Sequence, residues 1–301
     1  MENNKTIPTL GANEIINFHL HSIEWIATTF NSKHPDFHIN KIEDIKDKKN
    51  FNVKPHRKKL HDFFFLTKGK SIRTKGLNKY EIKGPAIFFL PSYQITEHEM
   101  ISEDATGFYC YFSEELFDLF PKTILSDRYD FFQYQSIPTV SLDLNTNIVL
   151  EQICKRLHKL YYENEFRRSL CSIYLMAIFD EIKNISKGSD IKQKNSSAEI
   201  TKRYKLALTK HIYEYHNVRE FASFLNVSPN YLNKCVKNTL DKTAQDLLQE
   251  MLILEAKTLI KHSKLNISEI AVKLCDQTPS NFARFFKSQT GLSPKEYSNI
   301  K

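Results

Sequence analysis

An internal repeat near the C-terminal end constrains this chain more than any other feature. Asn217-Val-Arg-Glu220-Phe-Ala222-Ser-Phe-Leu225 lines up with Asn266-Ile-Ser-Glu269-Ile-Ala271-Val-Lys-Leu274 at an offset of 49. One extra residue in the second copy raises the offset to 50, and there Ser228-Pro229 aligns with Thr278-Pro279, Lys234 with Arg284, and Lys237 with Lys287. A near-constant offset of this kind means that one supersecondary unit is used twice.

Each copy carries the start signals of two helices. Asn217 and Asn266 are helix caps, and Glu220 and Glu269, three positions on, can reach back to free backbone N–H groups. Ser228 and Thr278 cap a second helix, with Pro229 and Pro279 at its first position, where a missing N–H costs nothing. Only a tight turn separates the two helices. Ala222 and Ala271 sit mid-helix, where a small side chain permits close crossing. This is the helix-turn-helix arrangement.

The second helices carry donor-rich faces. Asn230, Asn233, Lys234 and Lys237 fall at i, i+3, i+4 and i+7, and Ser280, Ala283, Arg284 and Lys287 take the same places in the second copy. Inward positions are apolar: Leu232 and Val236, then Phe282, Phe285 and Phe286. Donors on the early turns of a second helix suit the DNA major groove, where Asn can bond an adenine edge and Arg or Lys a guanine edge. The candidate base contacts are therefore Asn230, Asn233, Lys234, Ser280 and Arg284. Lys237 and Lys287 lie a turn or so later and suit phosphates, which position a protein without specifying sequence. Between the copies, the apolar stripe of Thr243 to His262 (Leu247, Leu248, Met251, Leu252, Leu259, Ile260) predicts a long connecting helix. For both second helices to enter successive grooves on one DNA face, they must lie about 34 Å apart.

Charge is distributed in the same sense. The net charge is +8 over 301 residues. From Glu199 to Lys301 there are 16 Lys and Arg against 10 Asp and Glu, whereas the first 198 residues hold 27 against 25. The positive excess thus lies with the repeat, as nucleic-acid binding requires.

The chain is long enough for two domains. Ser186 to Ser197 (SKGSDIKQKNSS) is polar and reads as a linker. The division is 1–185 for an N-terminal domain, 186–198 for the linker and 199–301 for the repeat domain. Leu150, Ile153, Leu157 and Leu160, then Leu170, Ile173 and Ala177, predict two helices within Asn147–Ile185 that pack on their own domain or on a second subunit. Residues 51–113 read as β-rich. Phe63-Phe64-Phe65-Leu66, Ile87-Phe88-Phe89-Leu90 and Phe108-Tyr109-Cys110-Tyr111-Phe112 alternate with turn material, as in a small sandwich or barrel. A short helix is expected near Glu14 to Phe30.

Several function classes are excluded or disfavoured. With Gly at only 7 residues, Gly-rich phosphate loops are nearly excluded. Cys110, Cys154, Cys171, Cys235 and Cys275 are widely spaced without C-x-x-C, so reduced thiols are expected rather than a disulfide framework or zinc site. No apolar run approaches a membrane span and the start lacks a signal-peptide core, so a cytoplasmic protein without a membrane partner is expected. There is no G-x-S-x-G, H-E-x-x-H or P-loop, and no enzymatic activity or cofactor is expected.

The C-terminal residues resemble the AraC/XylS family of bacterial transcription regulators, from about Ala207 to Tyr297. The resemblance rests on Ser228-Pro-Asn-Tyr-Leu232-Asn-Lys-Cys-Val-Lys237, Ile267-Ser-Glu-Ile-Ala271, Asn281-Phe-Ala-Arg284-Phe-Phe-Lys287 and Gly291-Leu-Ser-Pro294-Lys-Glu-Tyr297. It implies two units that bind adjacent major grooves of double-stranded DNA, activation rather than repression, and RNA polymerase as a partner. Departures are present. The usual Gly-Phe of the second turn is Cys275-Asp276, and Cys cannot adopt a positive φ as cheaply as Gly. Leu252 replaces a usual Arg. Lys234 and Val236 replace a usual Arg and Phe, so base preference should differ.

The N-terminal region is similar, over about 50 residues, to the cupin-type barrel of many such regulators. The matching residues are His61-Asp-Phe-Phe-Phe65, Gly69, Tyr80-Glu-Ile82 and Gly84-Pro-Ala-Ile-Phe-Phe-Leu-Pro91. The resemblance implies a domain that binds a small-molecule effector or mediates homodimerisation. Most of the 22 Phe and 14 Tyr are expected in the core, and a minority, such as Phe65, Phe89 and Tyr109, could line an apolar effector pocket. The fold class expected is α+β: an N-terminal cupin-like β-barrel with flanking helices, then an all-α domain of two helix-turn-helix units joined by a long helix. The alternative is a cupin-type metalloenzyme with an accessory DNA-binding domain. It is disfavoured because His56 and His61 lack the close spacing of a cupin ligand pair, His98 is displaced, and His19 and His21 precede the barrel.

Overall fold

Phe63-Phe64-Phe65-Leu66 is apolar at every position because its strand is covered on both faces. Side chains alternate across a strand, so Phe63 and Phe65 join one buried cluster and Phe64 and Leu66 the other. The computed structural model describes residues 7–12, 14–15, 34–45, 53–76, 78–118, 125–133, 136–163, 166–185 and 196–299. Contacts divide the chain into two units, Thr9–Asp190, and Ile191–Lys301 with Met1–Pro8. The helix expected near Glu14 to Phe30 falls outside the described residues apart from Glu14 and Ile15, as do His19 and His21.

Among the described residues the N-terminal unit has ten strands: β1 (Thr9–Leu10), β2 (Phe37–Lys41), β3 (Val53–Lys58), β4 (His61–Lys68), β5 (Lys70–Lys75), β6 (Asn78–Lys83), β7 (Ala86–Leu90), β8 (Ile95–Ile101), β9 (Thr106–Phe112) and β10 (Thr139–Ser141). They form two five-stranded sheets, ordered β1-β3-β8-β5-β6 and β10-β7-β4-β9-β2. The two sheets share one buried cluster, in which Leu10 and Ile82 of the first meet Phe64, Phe88 and Tyr109 of the second. β4 is central to the second sheet, pairing antiparallel with β7 (Phe64 opposite Phe88) and β9 (Phe64 opposite Tyr109). Gly107 is needed where the β4–β9 register shifts: its φ is +141°, and a Cβ there would lie 2.0 Å from the Phe65 carbonyl oxygen.

Two helices, α1 (Leu144–Tyr161) and α2 (Arg168–Ile185), cover the outer face of the second sheet. Phe63, Phe65, Phe89, Cys110 and Phe112 pack there with Leu150, Cys154, Leu157, Leu175 and Phe179. Phe89 stacks on Phe131 at 4.1 Å and meets Phe179 edge-on. Of the three aromatics that could line a pocket, Phe65 and Phe89 therefore lie on the helix side, because strand alternation carries them outward. Tyr109 lies on the inner face.

The interior is polar beside its apolar half. Lys58 pairs with Asp62 and donates to Tyr109 Oη at 2.9 Å, all three buried. Arg73, 2% exposed, donates to His98 Nε2 at 3.0 Å and lies over the Phe64 ring at 3.6 Å. Arg73 Nε and Asp62 Oδ1 have no hydrogen-bond partner among the described residues. Burial lowers the Arg73 guanidinium to about 10. Burial alone lowers Lys75 to about 7, although its Nζ donates to Gln133 O, Ser136 O and Ser136 Oγ.

His56 and His98 approach with ring centroids 5.7 Å apart, while His61 lies elsewhere, bonded to Glu114 and to the Ser92 N–H. The Ser92 N–H makes Nδ1 of His61 the acceptor, so Nε2 carries the proton toward Glu114. Among the described residues no three His, Cys, Asp or Glu side chains converge as a metal site. All five cysteines are free and buried. No described helix is long and apolar enough to cross a membrane.

The C-terminal unit is all helical: α3 (Ser196–His211), α4 (Val218–Phe224), α5 (Pro229–Leu240), α6 (Ala244–His262), α7 (Ile267–Cys275), α8 (Pro279–Thr290) and α9 (Pro294–Asn299). Its first helix begins at Ser196, so residues 196–198 belong to a helical turn rather than to linker. The apolar stripe of α6 is buried at Leu247, Leu248, Met251, Leu252 and Leu259.

Candidate nucleic-acid interface

The two second helices, α5 and α8, are each twelve residues long and are started and stopped by the same devices. Ser228 Oγ accepts from Tyr231 N–H at 3.2 Å, and Thr278 Oγ1 from Asn281 N–H at 3.4 Å. Pro229 and Pro279 follow the caps. At the far ends Asp241 (φ 55°) and Gly291 (φ 79°) turn left-handed, and their N–H groups bond Lys237 O and Lys287 O. Each helix therefore presents a fixed set of side chains.

The preceding helices are capped as well. Asn217 accepts from Glu220 N–H at 3.0 Å, and Asn266 from Glu269 N–H at 2.9 Å. Glu269 returns a bond to Asn266 N–H, whereas Glu220 takes His216 N–H at 2.6 Å. Ala222 and Ala271 are both fully buried at the helix crossings. The turn that follows uses Asn226 (φ 56°) and Asp276 (φ 47°), residue types that tolerate this backbone better than most. Cys275 is the last residue of α7, 9% exposed, so the positive φ falls one position later than the sequence departure suggested.

Leu232, Val236, Phe282 and Phe286 are buried and Phe285 half-buried, which fixes the opposite faces outward. Asn230, Lys234 and Lys237 are exposed on α5, and Ser280, Arg284 and Lys287 on α8. Asn233 is half-buried, and its Oδ1 accepts from Ala244 N–H at 3.0 Å. Two exposed neighbours were missed by the sequence reading. Tyr231 is 41% exposed on the first turn of α5. Asn281 holds Arg284 Nη2 at 2.6 Å, and its place three residues before the arginine was the available signal.

The repeat also runs further than first aligned. Thr243 and Ser293, fifty positions apart, each cap the next helix, with Asp246 and Glu296 closing reciprocal bonds at 2.9 and 2.7 Å.

Residues 221–300 match the family model for a helix-turn-helix domain. An uncharacterized HTH-type transcriptional regulator of Bacillus subtilis (strain 168), YobQ, is 25% identical over 89 residues, 30% of this chain and 37% of that protein. The chain spans about a third of the length of the curated relatives it matches. Among solved structures, the C-terminal domain of AraT, a response regulator from Geobacillus stearothermophilus, is 30% identical, with 36% of this chain and 89% of that one covered at a TM-score of 0.33. ToxT from Vibrio cholerae is 15% identical, with 87% and 98% covered at a TM-score of 0.40.

Proposed function

We propose that this chain, whose C-terminal region is an AraC-type helix-turn-helix domain, is a sequence-specific DNA-binding transcription regulator. One observation carries the reading: two second helices, capped alike, each expose donors from the first turn onward, Asn230 and Lys234 on α5, Ser280 and Arg284 on α8. Those four are assigned to base edges and Lys237 and Lys287 to phosphates. Asn233 belongs to the same face, but its Oδ1 is held by the Ala244 N–H.

The N-terminal unit senses an effector or dimerises, and in doing so biases how the two units meet DNA. A barrel interior holding Arg73 and Lys58 supports the sensing role, since a purely structural core gains little from buried charge. Exposed apolar residues on α1, Leu144 at 71% and Ile148 at 48%, support the dimerising one. By family analogy alone, the protein is an activator that works with RNA polymerase in the cytoplasm and is not an enzyme.

Selection of duplexes from a randomised pool by the full chain tests this reading. Enrichment of a motif with two half-sites one helical turn apart is expected. Recovery of no preferred sequence overturns it.

A further inference from the structure

Asn233 sits at a place where the two repeat units differ in a correlated way. Its Oδ1 accepts the N–H of Ala244, the first residue of α6, at 3.0 Å. Ala244 is 1% exposed, and its carbonyl in turn accepts from Tyr204 Oη at 2.9 Å. Carried forward by fifty positions, Asn233 becomes Ala283 and Ala244 becomes Pro294, the first residue of α9.

The opening N–H groups of a helix have no partner within the helix, and a buried one must find a partner elsewhere. In the first unit Asn233 supplies that partner. In the second unit proline removes the donor, and the acceptor is gone as well. Side chain and backbone thus change together, as they should if the side chain at this position exists to serve the helix that follows.

The same bond conflicts with base reading. Bidentate pairing of Asn with adenine uses both its carbonyl oxygen and its amide group. With Oδ1 committed to Ala244, Asn233 can pair in that way only by releasing α6. We propose that Asn233 is a positioning residue: it ties α5 to the start of α6 and so fixes how Asn230 and Lys234 are presented to DNA. The DNA half of this inference rests on the function proposed above, whereas the tie itself does not.

The test uses the full chain with Asn233→Ala, Asn233→Ala/Ala244→Pro and Asn233→Asp. Thr243 is already extended (φ −79°, ψ 159°), as a residue before proline must be. Asn233→Ala is expected to lower the melting temperature of the free protein. It should also weaken binding to the selected duplex about tenfold, the order expected for one lost buried hydrogen bond. The ranking of base substitutions in that duplex should not change. Adding Ala244→Pro recreates the pairing of the second unit and should restore both melting temperature and affinity. Asn233→Asp keeps an acceptor and should keep the melting temperature, which decides the matter if the proline variant does not fold. The proposal is overturned if Asn233→Ala melts like wild type and relaxes preference at a single base pair. If wild type selects no duplex, the function proposed above fails while the melting comparison still tests the tie.

Discussion

Asn226 and Asp276, fifty positions apart, hold the same left-handed backbone in the turns of the two units, at φ 56° and 47°. The extra residue of the second copy is absorbed upstream, where Asp276 lies ten positions after its cap Asn266 and Asn226 only nine after Asn217, and α7 runs on to Cys275. The turn itself is thereby preserved.

It follows that glycine is tolerated at one of two adjacent positions and not at the other. Asp276→Gly should stabilise the C-terminal unit by about 1 kcal/mol, and Asp276→Val should cost about 1–2 kcal/mol. Cys275→Gly, which restores the family's usual residue, should instead cost about 1 kcal/mol because Cys275 is helical and buried. Urea denaturation of the four proteins checks the order.

Carboxylates at the helix starts set an acid limit on stability. Hydrogen bonds from His216 to Glu220, from Thr243 to Asp246 and from Ser293 to Glu296 hold these carboxyls below their ordinary range. A lowered folded-state value gives stability that is present above the unfolded value, roughly 4.3 for Glu and 3.9 for Asp, and is lost as pH falls through the folded value. The melting temperature of the C-terminal unit should therefore be flat near neutrality and fall below about pH 4. The triple variant Glu220→Gln/Asp246→Asn/Glu296→Gln should show a shallower fall across the same range. An unchanged slope would show that the caps are not what titrates.

Arg73 is placed where stability alone gives little reason for a charge. Its guanidinium is buried, one of its nitrogens is unpartnered among the described residues, and burial lowers it to about 10. Arg73→Met, which keeps length and loses the charge, should raise the melting temperature of the N-terminal unit. A lower melting temperature would mean that the His98 bond and the Phe64 contact outweigh desolvation.

The C-terminal unit was legible because its signals are local. Caps such as Ser228 and Asn266, prolines at the first helical turn and an apolar stripe all act within a few residues, and duplication printed them twice. Lys234 and Arg284 could be placed outward from spacing alone. What stayed hidden depends on longer reach. Asn233 and Ala244 meet only because α5 turns back into α6. In the N-terminal unit the strands were visible as apolar runs, but nothing in them separated Phe65 and Phe89, which face the helices, from Tyr109, which faces inward. When a strand is buried on both sides, its sequence no longer marks which face is inner. The charges inside the barrel gave no local sign, since Lys58 and Arg73 look like surface residues until the sheets close over them.

Footprinting of the full chain on its selected duplex, with a salt titration, tests the central claim most directly. Wild type should protect about two helical turns. Lys234→Ala/Arg284→Ala should weaken that site and relax its sequence preference, and Lys237→Ala/Lys287→Ala should weaken all sequences evenly and reduce the salt slope by about 2. Protection of a single turn, or binding indifferent to both pairs of substitutions, would contradict reading by two units.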